Sequence, residues 1–269
     1  MEAGGTGAVG GEGASPFPPF WLAPRVRNDA VETIGRPTRG CIVYTCEHAS
    51  NRVPRVFAPH PADRTLLRMH WGYDIGAAWV TRRLTHLGAT HRGPDMAVLS
   101  RVSRLVTDVN RAPDDPTLCL AQTDDGPVSF NLGMRPAERR TRLARFHRPF
   151  HDTVAAVVSI ARPRLLVSVH SFTSVWQGVP RTVEAGVLYD AHDAHAEALV
   201  LALRNEGLRT EANEPYSGKA GLIYSAARHG EAGNMPYFEI ELRQDLIDTR
   251  VRADAVADRV HAALRSCGW

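Results

Sequence analysis

Residues 39–51 read RGCIVYTCEHASN, an apolar, β-forming run that stops at a polar turn. A short continuous apolar run closed by turn residues is the pattern of a strand buried on both faces. Open α/β sheets bind their ligands in the crevice beyond the carboxyl ends of such strands. Glu47, His48, Ser50 and Asn51 therefore stand at the lip of the expected crevice. Alternation along a strand puts Cys46 and His48 on one face and Glu47 on the other. A histidine in one isolated turn commonly does no more than satisfy local hydrogen bonds, so weight rests on whether the pattern recurs.

It recurs at residues 163–173, PRLLVSVHSFT, where a second buried-type strand ends at His170 and small hydroxyl residues follow. Two histidines at the carboxyl ends of two parallel core strands can converge on one cation. Neutral imidazole is the commonest metal ligand, and a catalytic zinc needs three protein ligands plus an open position. Neither H-x-x-E-H nor a zinc-finger spacing is present.

Between the two strands, residues 70–88 (HWGYDIGAAWVTRRLTHLG) have helical spacing, with Asp74 near the start and Gly88 near the end. An Asp at that place commonly caps a helix or complements its dipole. Met96–Leu99 is a strand leading into 100–116, SRVSRLVTDVNRAPDDP. There Arg101, Arg104, Asp108, Asn110 and Arg111 fall within eleven residues. The planar fork of arginine suits a carboxylate, and Asn110 adds a neutral donor and acceptor. Residues 112–134 are rich in Pro, Asp and Gly and long enough for a functional loop or lid. Pro136–Ile160 is helical with a kink or boundary at Pro149. His147 and His151, one turn apart, have metal-ligand spacing but suit a surface or supporting position better. A third strand covers Ala185–Tyr189 and a helix Ala194–Glu206. Asn213, Glu214 and Tyr216 sit in a turn-rich loop over Thr210–Gly218. Pro236–Leu242 alternates, placing Glu239 and Glu241 on one face, where a carboxylate can serve as general base. Val251–Ser266 is a final amphipathic helix.

The 269 residues are 43% hydrophobic and 23% charged, ordinary values for a globular protein with a sizeable core. The net charge of +3 arises from 32 basic and 29 acidic residues. Arginines are spread along the chain rather than clustered, which argues against nucleic-acid binding. Four cysteines at 41, 46, 119 and 267 form no C-x-x-C pair, the usage of a reducing compartment. No run is long enough to span a membrane and no signal-peptide pattern opens the chain, so a cytoplasmic location is expected. Residues 1–20, Gly-rich then Pro-rich, are expected to form a disordered tail. Residues 21–269 are expected to form a single α/β domain.

In chain order the motifs are CEHASN, HWGYDIGA, SRLVTDVNR, HRPFH, SVHSFT, NEPYS and IELRQDLI. The set resembles the N-formylglutamate amidohydrolase family from about Gly40 to the late helix. The resemblance implies a mixed, largely parallel central sheet flanked by helices, of the zinc-exopeptidase (phosphorylase/hydrolase-like) type. It also implies hydrolysis of N-formyl-L-glutamate, or a closely related N-acyl amino acid, by a metal-activated water. The order of parts is similar to zinc carboxypeptidases and aspartoacylases. On that likeness His48 and His170 are metal ligands, Arg104 faces the oxyanion and Asn110 with Arg111 clamps a carboxylate. Glu241 is then the base, with Asn213 and Tyr216 closing the site. The carboxypeptidase pattern would put a glutamate at position 51, where Asn51 stands. Asp74 is taken as the carboxylate ligand, with Glu47 as the alternative because it should point away if the strand continues through His48.

Three other readings compete. An amidohydrolase of the same scaffold can act on another N-acyl amino acid or small amide, which parallel assays of formyl, acetyl and succinyl substrates separate. A thiol hydrolase can use Cys46 with His48, and its activity survives chelation. A non-catalytic binder of acidic amino acids shows binding without turnover.

Overall fold

A computed structural model describes residues 25–89 and 94–269; the expected tail over 1–20 and the expected start near Trp21 lie outside the described residues. Its middle layer is an eight-stranded sheet. In chain order the strands are β1 (Arg25–Arg27), β2 (Val31–Ile34), β3 (Ile42–Cys46), β4 (Met96–Ser100), β5 (Leu165–Phe172), β6 (Ala185–Leu188), β7 (Thr210–Ala212) and β8 (Tyr237–Arg243). Across the sheet they lie in the order β1-β2-β4-β3-β5-β8-β6-β7. The four central strands β4, β3, β5 and β8 are parallel, while β2 and β6 join them antiparallel. The sheet is thus mixed and largely parallel, as expected. Both histidine-bearing strands are central and adjacent, with Ile42 opposite Leu165 and Thr45 opposite Ser168.

The helices are α1 (Asp63–Arg68), α2 (Ala77–Ala89), α3 (Pro136–Arg142), α4 (Arg148–Ala161), α5 (Asp193–Asn205), α6 (Tyr224–Gly233) and α7 (Arg250–Ser266). One face of the sheet presents Ile42, Tyr44, Cys46, Val167, Val169, Phe238 and Ile240 to the apolar stripes of α2, α5 and α7. The opposite face presents Val43, Leu166 and Tyr237 to Phe150, Val154 and Val158 of α4 and Ala226 of α6. Burying such side chains contributes about 1.5–3 kcal/mol each, so each face has its own core. On the second face, helix cover ends before the carboxyl ends of the strands. Ser168, His170, Glu239 and Glu241 emerge there instead of apolar residues. Strands β4 and β5 flank β3 on opposite sides; the connection from β3 to β4 carries α2 on one face, and that from β4 to β5 carries α4 on the other. That reversal opens a crevice at the strand ends.

Expected and observed elements agree closely from Met96 to Ser266, with instructive differences. The expected long helix over Pro136–Ile160 is two helices joined by a π-turn at Leu143–His147, and Pro149 lies in the first turn of α4. The loop expected over Thr210–Gly218 begins as a short edge strand, β7. No element was expected ahead of Gly40, yet β2 pairs with β4; a four-residue strand containing Glu32 is too short for a periodicity argument. No helix among the described residues is long and apolar enough to cross a membrane.

Candidate active site

Strand β3 ends at Cys46, and the chain turns through Glu47 and His48. Cys46 follows the alternation into the core of α2 and α7. Glu47 takes the opposite face, and the turn carries His48 round to it. Glu47 was expected to point away from the site, but the site is built on its face. Glu47 Oε2 accepts from Ser168 Oγ at 2.6 Å and lies 3.2 Å from His170 Nε2.

Asp74 stands between the two histidines. Its backbone N–H donates to the His48 carbonyl (3.0 Å), and Gly76 then takes a left-handed φ of 83° beneath the Ile247 carbonyl before α2 begins. Asp74 Oδ2 is 3.3 Å from His48 Nδ1, 2.8 Å from His170 Nδ1, and accepts the Ser171 N–H at 3.1 Å. The histidine ring centres are 4.7 Å apart. Ligand atoms of His48, Asp74 and His170 lie within 4.8 Å of one another, as do those of His170, Glu239 and Glu241. All of these residues are buried.

A second layer fixes the rings. His48 Nε2–H donates to Asp108 Oδ1 at 2.7 Å, the carboxylate–imidazole arrangement that orients a metal-binding histidine. Asp108 in turn accepts from Arg104 Nη2 (2.9 Å) and from the Asn110 N–H (2.8 Å). His170 Nε2 faces Ser168 Oγ (3.0 Å), Glu47 and, at 3.4 Å, Glu239 Oε2. Burial opposes the charge of Asp108, but His48 and Arg104 hold its carboxyl well below the usual range. Burial likewise opposes a charged His170, yet Glu239, Asp74 and Glu47 push its pKa well up. Glu241 moves the other way: burial first, then Glu239 and Asp74, raise its carboxyl well above the ordinary value.

The remaining expected site residues separate by what their side chains hold. Arg104 is committed to Asp108 and approaches Asp74 Oδ1 at 3.6 Å. Asn110 spends its amide internally, donating to Glu239 Oε2 (3.1 Å) and accepting from the Ser225 N–H (2.9 Å). Arg111 donates to the Asn110 carbonyl (2.9 Å) and has no acid partner among the described residues. Tyr216 lines the same cavity as these residues. Asn213, at φ 53°, is not in the cavity wall. Its Oδ1 accepts from the N–H groups of Tyr189 (3.1 Å) and Gly218 (2.8 Å), which shapes the loop carrying Tyr216. The cavity, of about 320 Å³, reaches from His48, His170 and Glu241 outwards to Trp71, Leu120 and Trp176.

Asp108, Glu239 and Ser168 were not given roles from the sequence, although Asp108 stands inside the D-x-N-R motif and Glu239 shares a strand face with Glu241. His147 and His151 prove to be buried supports. His147 Nε2–H donates to the Arg111 carbonyl (2.9 Å) and His151 Nε2–H to the Val109 carbonyl (3.0 Å). That tautomer leaves His151 Nδ1 to accept from His229 Nε2–H at 2.9 Å. The π-turn ends at His147, and π-turns often mark functional positions.

Comparison with known proteins agrees with this geometry. The family model of N-formylglutamate amidohydrolase matches residues 40–248. The chain belongs to the N-formylglutamate amidohydrolase family. The amidohydrolase is similar to a solved gene product of Agrobacterium tumefaciens at 28% identity, with a TM-score of 0.81 over 90% of this chain and 97% of that one. An N-formylglutamate amidohydrolase from Ralstonia eutropha shares the fold at 16% identity and a TM-score of 0.67, over 90% of this chain and 98% of that one. No curated protein matches.

Charge supplies the test of whether a metal fits. Glu47, Asp74, Asp108, Glu239 and Glu241 are all buried, while the cavity wall contributes two guanidinium groups, Arg104 and Arg111. One oxygen each of Glu47 and Glu241 lacks any hydrogen-bond partner. Unpaired buried carboxylates are strongly unfavourable. Two imidazoles and a carboxylate that converge beside carboxyl oxygens without partners suit one divalent cation.

Proposed function

We propose that this amidohydrolase is metal-dependent and cleaves the amide of N-formyl-L-glutamate, or of a closely related N-acyl amino acid, using water. The observation that carries the reading is the convergence of His48 Nδ1, Asp74 Oδ2 and His170 Nδ1 beside Glu241, one of whose carboxyl oxygens has no partner. His48, Asp74 and His170 would hold the metal, with zinc the choice that the donor set and family resemblance favour. When bound, it supplies a Lewis acid and a water acidic enough to be deprotonated near neutral pH.

The chain's own groups supply the rest. Glu241 takes the proton from the attacking water and passes it to the departing amine. Asp108 and the Glu47–Ser168 pair keep the two imidazoles oriented. Arg104, itself oriented by Asp108, turns its charge towards the oxygen that becomes negative at the cleaved carbonyl. Arg111 receives the α-carboxylate, while Asn110 holds Glu239 and the start of α6 in place beside it. Tyr216 closes the wall, and Asn213 sets the loop that presents it.

Support also comes from the thiol of Cys46. It is fully buried on the opposite face from the cavity, and burial raises its pKa to about 12. A thiolate nucleophile at neutral pH is therefore disfavoured. The test is formate release from N-formyl-L-glutamate. Glu241→Gln should lower turnover by about 10²–10⁴-fold, the usual span of general acid–base assistance, with metal content unchanged. Turnover within a few-fold of wild type would remove Glu241 from the chemistry.

A further inference from the structure

We propose that Arg181 reads a second carboxylate on the substrate, carried by the amino-acid side chain, which makes it the residue that selects acidic over neutral N-acyl amino acids. The proposal rests on the reading of the cavity as an N-acyl amino acid site and assigns the part of the ligand farthest from the chemistry.

Arg181 follows the short hairpin that pairs Val175–Trp176 with Val179–Pro180. Its backbone is pinned on both sides: the N–H donates to the Ser174 carbonyl (2.8 Å), and its carbonyl accepts from Arg243 Nη1 (3.0 Å). Asp245 holds Arg243 at 2.8 Å. The guanidinium carbon lies 5.4 Å from the ring centres of Phe172, Trp176 and Tyr216, all three of which line the cavity. It has no acid partner among the described residues. Its side-chain hydrogen bonds, from Nη1 to Thr173 O and Oγ1 (3.4 Å each) and to the Tyr216 hydroxyl (3.5 Å), are all long.

Arg142 offers a contrast in the same molecule: both of its terminal nitrogens are well bonded, although its Nε has no partner. It also lies against aromatic rings without an ion-pair partner, though fully buried where Arg181 is half-buried, and its donors reach Asn131 Oδ1 at 2.5 Å, the Phe130 carbonyl at 2.7 Å and the Val106 carbonyl at 3.1 Å. Arg181 lacks such acceptors, so its charge is held in place by rings and left unmatched. At the cavity, Arg104 is engaged by Asp108 and Asp74. Arg111 in the wall, and Arg181 just beyond it against Phe172, Trp176 and Tyr216, are then the guanidiniums left for anionic ligand groups. One suffices for the α-carboxylate common to every N-acyl amino acid. The other fits a ligand with a second carboxylate, because a planar fork accepts a carboxylate through two hydrogen bonds.

The test compares purified wild type, Arg181→Gln and Arg181→Lys. Formate release is measured from N-formyl-L-glutamate and N-formyl-L-glutamine, and calorimetry measures binding of L-glutamate and L-glutamine, which lack the N-acyl group. Wild type should prefer the acidic member of each pair by tenfold or more, Arg181→Gln should bring both ratios close to one, and Arg181→Lys should keep most of the preference. A wild type without preference, or an Arg181→Gln protein that retains it, overturns the proposal. If Arg181→Gln binds neither compound, Arg181→Lys decides: a retained preference supports the proposal and a lost one overturns it. If wild type releases no formate while the binding preference collapses in Arg181→Gln, the hydrolytic reading fails and the role of Arg181 stands.

Discussion

Asp108 touches none of the reacting atoms, yet its Oδ1 lies 2.7 Å from His48 Nε2 and decides which nitrogen of that ring is free to face Asp74. Asp108→Asn should keep the shape while losing the charge that fixes the imidazole. Loss of such a partner typically costs about 10–100-fold in metal affinity or activity, and that loss is the expected outcome when zinc affinity is titrated with a competing chelator. An unchanged affinity would show that the pair is incidental. His151 and His229 carry a second expectation. Burial, reinforced by His147, His229 and Arg228, depresses His151 to about 2, and burial with Arg228 depresses His229 to about 4. In the unfolded chain both take up protons near pH 6.5. The folded state refuses those protons, so the stabilisation is complete above about pH 6.5 and lost as pH falls towards 4. Each histidine adds a slope of ~1.4 kcal/mol per pH unit in that window. Denaturant melts between pH 7 and pH 5 should show it, and His229→Gln should flatten it; an identical slope in the variant contradicts the assignment. His48 and His170 were legible because each ends an apolar run. Glu47 was misplaced because the strand was assumed to continue through His48. Asp108 could not be assigned because its partner lies 60 residues away, a separation that no local spacing encodes.

At the scale of elements, the parallel register of β3, β5 and β8 does the positioning. Glu239 pairs with Ser168, and Glu241 with His170, so two rows of polar side chains cross the face that α4 and α6 leave uncovered. On the far side of β8, Gly186 is the register partner of Glu241. A Cβ on Gly186 would stand 1.8 Å from the Glu214 carbonyl oxygen, so β6 needs a glycine there for the Tyr216 loop to approach. Gly186→Ala should destabilise the protein by about 1–3 kcal/mol, the range for overpacking, and raise KM more than it lowers kcat. Wild-type stability and KM together would refute this. The buried strands were visible as apolar runs and α2, α5 and α7 as amphipathic periods. The π-turn was not visible, since insertion of one residue into a helix leaves composition and capping signals unchanged. Nor was β2, whose four residues depend on pairing with β4 rather than on any pattern of their own.

For the molecule as a whole, the site is a cluster of buried ionisable groups set into a well-packed sheet. Five buried acids gather at the carboxyl ends of the central strands, where the two apolar layers on either face of the sheet hold the backbone that carries them. Fold class was legible because seven ordered motifs span most of the chain, whereas the side-chain partner of each arginine was not, because pairing depends on which loops the fold brings together. The most direct test of the central claim is to strip the protein with chelator and add zinc back stepwise while recording formate release from N-formyl-L-glutamate. The account predicts no turnover without metal and a plateau at about one equivalent per chain, with no recovery in His170→Ala. Full turnover by the metal-free protein would contradict it.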